Sequence, residues 1–467
     1  MGTIEVIKKF IESNRIVERA VREGMERLPL RLRYGISYGP TFRWWLAFLK
    51  ESEKWDREKL EAYQVEQLRS LLIHAGKNVP YYQLVFRDYG FRPKEIQSLD
   101  EIRALPYLDK TIVKARPSEF IAANIPKKQL IAVTTSGTTG VPFSLYGTKE
   151  TEEKHWATVV HLWSRIGYRP GSRTVFFEST AREGRKQPYP WKKYGDRLII
   201  SSNHLKEPWM DKFIAMINRF KPEYAIGFPQ TIAVLSSYIK KNKRDLCESL
   251  KGIILVGEQS YAWQKSLIEG VMGVRVFSDY GMVEKVIHGG GCERSDAYHF
   301  YPQYGLSEYV PLQDQFNEMV GTGFINYAMP LIRYRTGDIC RPVRRSCESC
   351  GRPYDTTAAI DGRLCDFLVT ADGQIVSVHL PLDHHTLEHI EGFQLYQDKA
   401  GEAQLRVWTK GKDGMYVENL LDEIRRCTSP LGRDLEYTIV IMGIENTRRQ
   451  TKYSVVDQKL DMRALLQ

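Results

Sequence analysis

The sequence predicts an α/β protein: a large domain with helices around mixed or parallel β-sheets, followed by a small α+β domain. Three observations carry this. From Leu130 to about Tyr334, short apolar runs rich in β-branched residues alternate with helical patterns. Around "IDGRLCDFL" the character changes to strands alternating with a single helix. The length, 467 residues, exceeds what one ordinary core organises.

Residues 1–130 read as mostly helical. "DREKLEAYQVEQLRSLLIHAGKNVP" places Leu60, Tyr63, Leu68, Leu71 and Leu72 near helical spacing, and Asn78 and Pro80 stop it. In "SLDEIRALPYLDKTIVKA", Ser98 as N-cap and Glu101 as its reciprocal partner predict a short capped helix. Next come six buried-type strands, "QLIAVTT", "RTVFFEST", "RLIISS", "YAIGFP", "GIILVGE" and "VRVFSDYG". "EEKHWATVVHLWSRIG", "WMDKFIAMINRF" and "QTIAVLSSYIKKNK" are the helices among them. The last hundred or so residues alternate "AQLRVWT" and "EYTIVIMG" with the helix "VENLLDEIRRC". We expect a helical extension over 1–54, a large domain over 55–363 and a small one over 364–467.

Composition narrows the function classes. Hydrophobic content of 42% and charged content of 27% are those of a globular chain. The net charge of +10 is spread among acidic neighbours, unlike the concentrated footprint of a nucleic-acid binder, so no nucleic-acid partner is expected. No window nears the roughly 18 apolar residues a bilayer span needs. The N-terminus fits neither a secretory signal nor a myristoylation pattern, which makes a cytoplasmic location the expectation. "TFRWWLAFLK" sets tryptophans beside basic residues, as at a membrane interface, but a helix packed on the main domain is the preferred reading. Seven cysteines, an odd number, argue against a disulfide scaffold.

"IAVTTSGTTGVPFSLYG" puts five hydroxyls and two glycines between apolar runs, with a third glycine, Gly147, at its end. Gly137 and Gly140 free the backbone, and Ser136, Thr138 and Thr139 add neutral donors. Such a loop makes a nest for phosphate oxygens, though it lacks the Lys-Ser/Thr ending of a Walker A loop. Ligands of α/β sheets bind beyond the carboxyl ends of strands, where "GFPQ", "GEQS" and "DYGMVE" also lie. Further along, "LIRYRTGDI" offers Tyr334, Thr336, Gly337 and Asp338, "IDGRLCD" offers Gly362, Arg363 and Asp366, and "IENTRRQTKYSVV" offers Lys452.

In this order the set resembles the adenylate-forming superfamily of acyl-CoA synthetases and peptide-synthetase adenylation domains. "YQVEQLRSLLIHAGKNVPYYQ", "LPYLDK" and a "CESCGR" knuckle before "DGR" resemble the phenylacetate–CoA ligase-like branch, which includes capsular-polysaccharide CapK-type proteins. The likeness runs from about Trp55 to Gln467. It implies an ATP-dependent ligase that joins a carboxylic acid to AMP, releases pyrophosphate, and passes the acyl group to coenzyme A, or to an amine or hydroxyl in capsular or surface polysaccharide synthesis. The alternative is a zinc-stabilised nucleotide-binding protein without turnover.

The resemblance also implies roles. Thr135, Ser136, Gly137, Thr138, Thr139 and Gly140 would hold phosphates. Gly257, Glu258, Asp279, Tyr280 and Gly281 would line the nucleotide site, with Tyr280 near adenine or the α-phosphate. Glu284 would hold Mg²⁺, a hard cation that takes oxygen ligands. Asp338 would accept from both ribose hydroxyls and Arg363 would fix ribose or phosphate. Lys452 would bridge carboxylate and α-phosphate in the transition state, a catalytic role shared with Glu284 and Thr139. Phe228, Pro229 and residues near Gly257 and Met282 would line the acyl pocket. Three positions depart from the pattern: Val141 replaces a common lysine, Cys365 stands where a hinge acid is usual, and no glycine immediately precedes Lys452.

"CESCGR" is a C-x₂-C turn that presents two thiolates to one metal. In the branch, a Cys and a His seven residues on often follow the Tyr-Gly-x-x-Glu phrase, as Cys292 and His299 do here. The implied site is a closed, structural Zn²⁺ on Cys292, His299, Cys347 and Cys350, with His288 as the alternative ligand. Cys340 and Cys365 are read as core or hinge residues.

Overall fold

The computed structural model describes residues 39–135, 143–178, 189–206, 208–313, 315–377, 390–409, 435–442 and 456–462. Residues 136–142, 417–427 and 452 lie outside this set, and with them Ser136–Gly140 of the hydroxyl loop, the C-terminal helix expectation and Lys452.

The large unit is organised by a ten-stranded sheet in the order β14-β15-β10-β9-β8-β7-β6-β3-β5-β4. Its centre is parallel: β5 (Arg197–Ser201), β3 (Thr174–Glu178), β6 (Tyr224–Gly227), β7 (Gly252–Leu255) and β8 (Val276–Gly281). The flanks are antiparallel: β4 (Trp191–Tyr194) at one edge, and β9 (His288–Gly291), β10 (Tyr298–Phe300), β15 (Thr356–Thr357) and β14 (Val343–Arg344) at the other. Central strands are buried on both faces, which explains their continuous apolar runs. One face packs Val175, Phe177, Ile253 and Leu255 against helices α6 (Met210–Phe220), α7 (Pro229–Lys241) and α8 (Ala262–Met272). The alternate residues Tyr224, Ile226, Ile254 and Phe277 pack with α1 (Pro40–Ser52) and α5 (Lys149–Trp163).

The aromatic-basic segment is thus a packed helix. Phe42, Trp45 and Leu49 of α1 are buried, Trp45 Nε1 donates to Thr158 Oγ1 of α5 at 3.0 Å, and Trp44 remains exposed. No helix among the described residues is long and apolar enough to cross a membrane.

A second, antiparallel sheet, β11-β12-β13-β16, spans Gly305–Gln313, Phe316–Gly323, Tyr334–Cys340 and Ile360–Arg363. It shares a core with α2 (Arg57–Asn78) and α3 (Pro80–Asp88) through Leu68, Leu72, Tyr82, Phe86, Met319 and Tyr334. Helix α2 ends at Asn78 as expected, and Pro80 then opens α3 at a position where its missing N–H costs nothing. Asp109 caps the short α4 (Lys110–Ala115) by accepting from Ile112 N at 3.0 Å.

Two expectations are corrected. Ser98 does not cap an α-helix. Its N–H and hydroxyl both donate to Glu101 Oε1, and the chain makes a 3₁₀ turn over Asp100–Ala104. "QLIAVTT" is not a strand of the parallel sheet either. Among the described residues, strand β1 (Ile131–Thr135) pairs only with β2 (Phe143–Gly147), antiparallel, so the hydroxyl loop links two strands of a hairpin. Apolar, β-branched composition specifies a strand but not its partner.

The C-terminal part contains the hairpin β17 (Phe367–Val369) and β18 (Ile375–Ser377), and a mixed sheet β21-β20-β19-β22 over Glu436–Met442, Glu402–Thr409, Ile390–Lys399 and Val456–Gln458. Buried Gln397 ties the two, accepting from Val369 N at 2.7 Å and donating to Val369 O at 2.8 Å. Ile339 of β13 packs with Leu364, Phe367, Val369 and Met462.

Candidate functional site

Residues from three distant segments meet where β8 ends and β13 begins. Tyr280 Oη donates to Asp338 Oδ2 at 2.7 Å, and Tyr334 Oη donates to Glu284 Oε1 at 3.3 Å. Arg363 Nε lies 3.8 Å from Asp338 Oδ1, a consequence of the β13–β16 register that pairs Asp338 with Arg363.

The segment carrying Asp338 is bulged. Along β12 and β13, Glu318 faces Ile339 but Val320 faces Arg335, so two extra residues are accommodated between them. Gly337 takes the left-handed conformation this needs, at φ 76°. Thr336 Oγ1 accepts from Asp338 N at 3.0 Å and donates to Met319 O at 2.8 Å, which pins the bulge. The "TGD" phrase is therefore a device for aiming one carboxylate.

Burial pushes the Asp338 carboxyl up to about 6, with the Arg363 guanidinium and the Tyr280 hydroxyl acting against it. Burial likewise drives the Tyr280 and Tyr334 phenols well above their usual range, so both remain donors. The backbone beside the site is held by "LPYLDK": Leu108 bridges Tyr334, donating to Arg333 O at 3.0 Å and accepting from Arg335 N at 2.7 Å. The Tyr107 ring lies beneath the guanidinium groups of Arg333 and Arg335.

Strand alternation separates neighbours that the sequence reads together. Tyr280 faces Asp338, whereas Asp279 turns to the opposite face and accepts from Trp163 Nε1 at 2.6 Å. Its carboxyl is pushed up to about 7 by burial. Gly257 and Phe228 are brought together: a Cβ on Gly257 would come within 2.8 Å of the Phe228 ring. Met282 is partly buried against the core shared by α2 and the second sheet. Cys340 is buried, as expected of a core residue, and Cys365 is exposed in the 3₁₀ turn Leu364–Asp366. Trp163, His155 and Arg333 went unnoticed in the sequence, since α5 spacing marks only an amphipathic helix and an isolated arginine carries no local signal.

The second constellation lies at the sheet edge. Ligand atoms of Cys292, His299, Cys347 and Cys350 all fall within 4.8 Å of one another. Cys347 Sγ is 3.9 Å from Cys292 Sγ, and Cys350 Sγ is 3.6 Å from His299 Nε2. The turn between β14 and β15 supplies Cys347 and Cys350, closed by Gly351 N donating to Cys347 O at 2.8 Å. Pairing of β15 with β10 sets Thr356 opposite His299, carrying the turn to the other two ligands. His288, the alternative ligand, is not in the group and faces Asp279 instead, 3.8 Å away. Three thiolates and a neutral imidazole suit a four-coordinate soft-ligand metal, and leave one excess negative charge on a divalent ion. Arg165 and Arg352 stand beside it: Arg165 Nη1 is 3.1 Å from His299 Nδ1, and Arg352 pairs with Glu53 at 2.6 Å and Glu293 at 2.7 Å. The donor set and its surroundings fit zinc.

No family model matches the chain. It is 27% identical over 344 residues to a phenylacetate–coenzyme A ligase of Thermus thermophilus, covering 69% of this chain and 75% of that protein. It is 22% identical over 279 residues to protein CapK of Staphylococcus aureus, covering 59% and 61%. Among solved structures, a 2-hydroxyisobutyryl-CoA ligase in the postadenylation state aligns with a TM-score of 0.64 over 88% of this chain and 92% of that one, at 18% identity. At that identity the structural likeness establishes the fold.

Proposed function

We propose that the chain is an AMP-forming carboxylate–CoA ligase of the adenylate-forming superfamily, on the phenylacetate–CoA ligase-like branch to which its curated relatives point. The observation that carries this reading is the convergence of Tyr280, Asp338 and Arg363 from three separate segments.

In the first half-reaction a carboxylate oxygen attacks the α-phosphorus of ATP. The new P–O bond makes the acyl-adenylate and the bond to pyrophosphate breaks. Both reactants are anions, so the protein's task is positioning and charge neutralisation. Asp338 accepts from the ribose hydroxyls, held in place by the Tyr280 hydroxyl and the Thr336 bulge. Thr135–Gly140 supply donors to the phosphates. Glu284, half-buried beside Tyr334, would offer the oxygen ligand for a Mg²⁺ accompanying ATP, which would supply charge neutralisation at the phosphates. Lys452 neutralises charge between carboxylate and α-phosphate. In the second half-reaction the coenzyme A thiol, losing its proton, attacks the acyl carbon and AMP leaves. We place the domain boundary after Arg363, so that the small domain rotates about the segment containing Cys365.

An amine or hydroxyl of a surface glycan is the alternative acceptor that the sequence resemblance implies. Cys292, His299, Cys347 and Cys350 are assigned to a structural zinc, because four protein ligands leave no open position.

The test is ATP–pyrophosphate exchange across a panel of carboxylic acids, followed by product analysis with and without coenzyme A. Acid-dependent exchange with thioester product is the expected result. Nucleotide binding with no exchange for any acid would overturn the ligase reading.

A further inference from the structure

Lys285 follows Glu284 in the turn after β8 and takes the left-handed conformation, φ 54°, which lysine rarely adopts. It is 7% exposed, its backbone N–H donates to Met282 O at 3.1 Å, and its ammonium pairs with Glu152 Oε1 at 2.7 Å. Glu152 lies in the first turn of α5, the helix that begins directly after the β1–β2 hairpin. A Cβ on Gly147, where that hairpin ends, would come within 3.7 Å of Glu152 Oε1. One ion pair, between residues 133 apart in sequence, thus ties the Glu284 turn to the base of the hairpin that carries the hydroxyl loop.

The two ends of this tie are held differently. On the Lys285 side the backbone is clamped against the second sheet. Gly305 and Gly323 stand opposite one another in β11 and β12, and a Cβ on the first would clash with Val286 O, on the second with Lys285 O. On the Glu152 side, α5 is anchored in the core by its later residues, from Ala157 to Trp163. The hairpin has its own anchor, Asn326 Nδ2 donating to Tyr146 O at 3.0 Å. The start of α5 lies between these anchors, where the Lys285 ammonium holds it relative to Glu284.

In the proposed ligase reading, on which this inference rests, the hydroxyl loop and Glu284 serve one triphosphate, so their separation matters. An ion pair largely withdrawn from water gains little stability over an apolar contact of the same volume, but it demands one distance and one direction. We propose that Lys285 is a positioning residue: through Glu152 it sets the phosphate-binding hairpin against Glu284, so that both engage the same triphosphate. Its ammonium is buried and engaged by the carboxylate, so it acts through that partner and does not touch the nucleotide.

Calorimetric titration with MgATP and with AMP, alongside pyrophosphate exchange, separates positioning from folding. AMP reaches Asp338 through its ribose but carries no β- or γ-phosphate. Lys285→Met/Glu152→Met removes both charges together, so neither is left without its partner. This double variant should unfold at nearly the temperature of the parent and bind AMP nearly as well. It should lose about a hundredfold in kcat/KM for MgATP, the scale of a misplacement of about 1 Å. Affinity for MgATP should fall relative to AMP as well. Lys285→Arg, which keeps a cation within reach of Glu152, should recover most of the activity, and Lys285→Met alone gives the same readout if the double variant does not fold.

Parent-like exchange in the double variant would overturn the proposal. So would equal losses for AMP and MgATP, which mark a merely structural pair. A parent without acid-dependent exchange would remove the ligase reading, while the ratio of MgATP to AMP affinity would still decide the role of Lys285. A parent that binds neither nucleotide would overturn both.

Discussion

Tyr280 and Asp338 are 58 residues apart, and a 2.7 Å hydrogen bond from the tyrosine hydroxyl to the half-buried carboxylate joins the end of the parallel sheet to the bulge of the second sheet. This bond places a carboxylate between the two sheets, and the proposed function makes it the acceptor for the ribose hydroxyls. Asp338→Ala should weaken ATP binding severely, since each hydrogen bond to a charged group contributes about 1.5–3 kcal/mol. Calorimetric titration checks this, and unchanged affinity would remove the ribose assignment.

The same residue predicts a pH dependence. Its carboxyl rises from 3.8 to about 6 in the folded chain. The native state thus holds a proton where the unfolded chain has released it. Asp338 supports stability below about 4 and loses that contribution as pH rises through about 6. Asp338→Asn should remove this part of the slope when unfolding is compared with the parent between those limits. Nucleotide affinity has the opposite sign, because the carboxylate is the better acceptor, and should increase across the same window.

Arg333 is buried at φ 52° in the connection between β12 and β13, pairs with Glu308 at 2.8 Å, and donates to the carbonyls of Arg103 and Leu105. Replacing it by Leu leaves Glu308 unpaired and frees the "LPYLDK" segment. A loss of about 3–5 kcal/mol is expected in denaturant unfolding, the range for breaking a buried ion pair. A loss under 1 kcal/mol would show that the pair is not structural, a threshold set by the roughly 0–1 kcal/mol of exposed pairs.

Zinc removal should be a folding event. Purified protein is expected to contain about one equivalent, and Cys347→Ser should lose it with a marked fall in thermal stability. A metal-free parent with the same stability would rule the site out.

Lys452 separates ligase from binder. Lys452→Ala should slow adenylate formation by about a hundredfold or more while ATP still binds, because a cation at the forming bond acts mainly in the transition state. Thioester formation from pre-made adenylate should change much less. Adenylation at the parent rate would end this assignment.

Local chemistry made much of this protein legible before any coordinates. The alternation of apolar runs and helices specified the α/β class, because strand and helix periods are written in neighbouring residues. The C-x₂-C turn with Cys292 and His299 identified the quartet that the structure gathers within 4.8 Å. The "TGD" phrase marked the carboxylate that β13 aims at Tyr280.

What the tertiary structure decided were matters of partner and face. β1 makes a hairpin with β2 and stays out of the parallel sheet, and no residue within the strand encodes that choice. Asp279 and Tyr280 are adjacent in the chain but point to opposite sides, one to Trp163 and His288, the other to Asp338. A period of two guarantees that they diverge, yet which side meets the nucleotide depends on strands tens of residues away. The high pKa of Asp338 has the same origin. It comes from burial between two sheets, and burial is a property of the packed molecule alone.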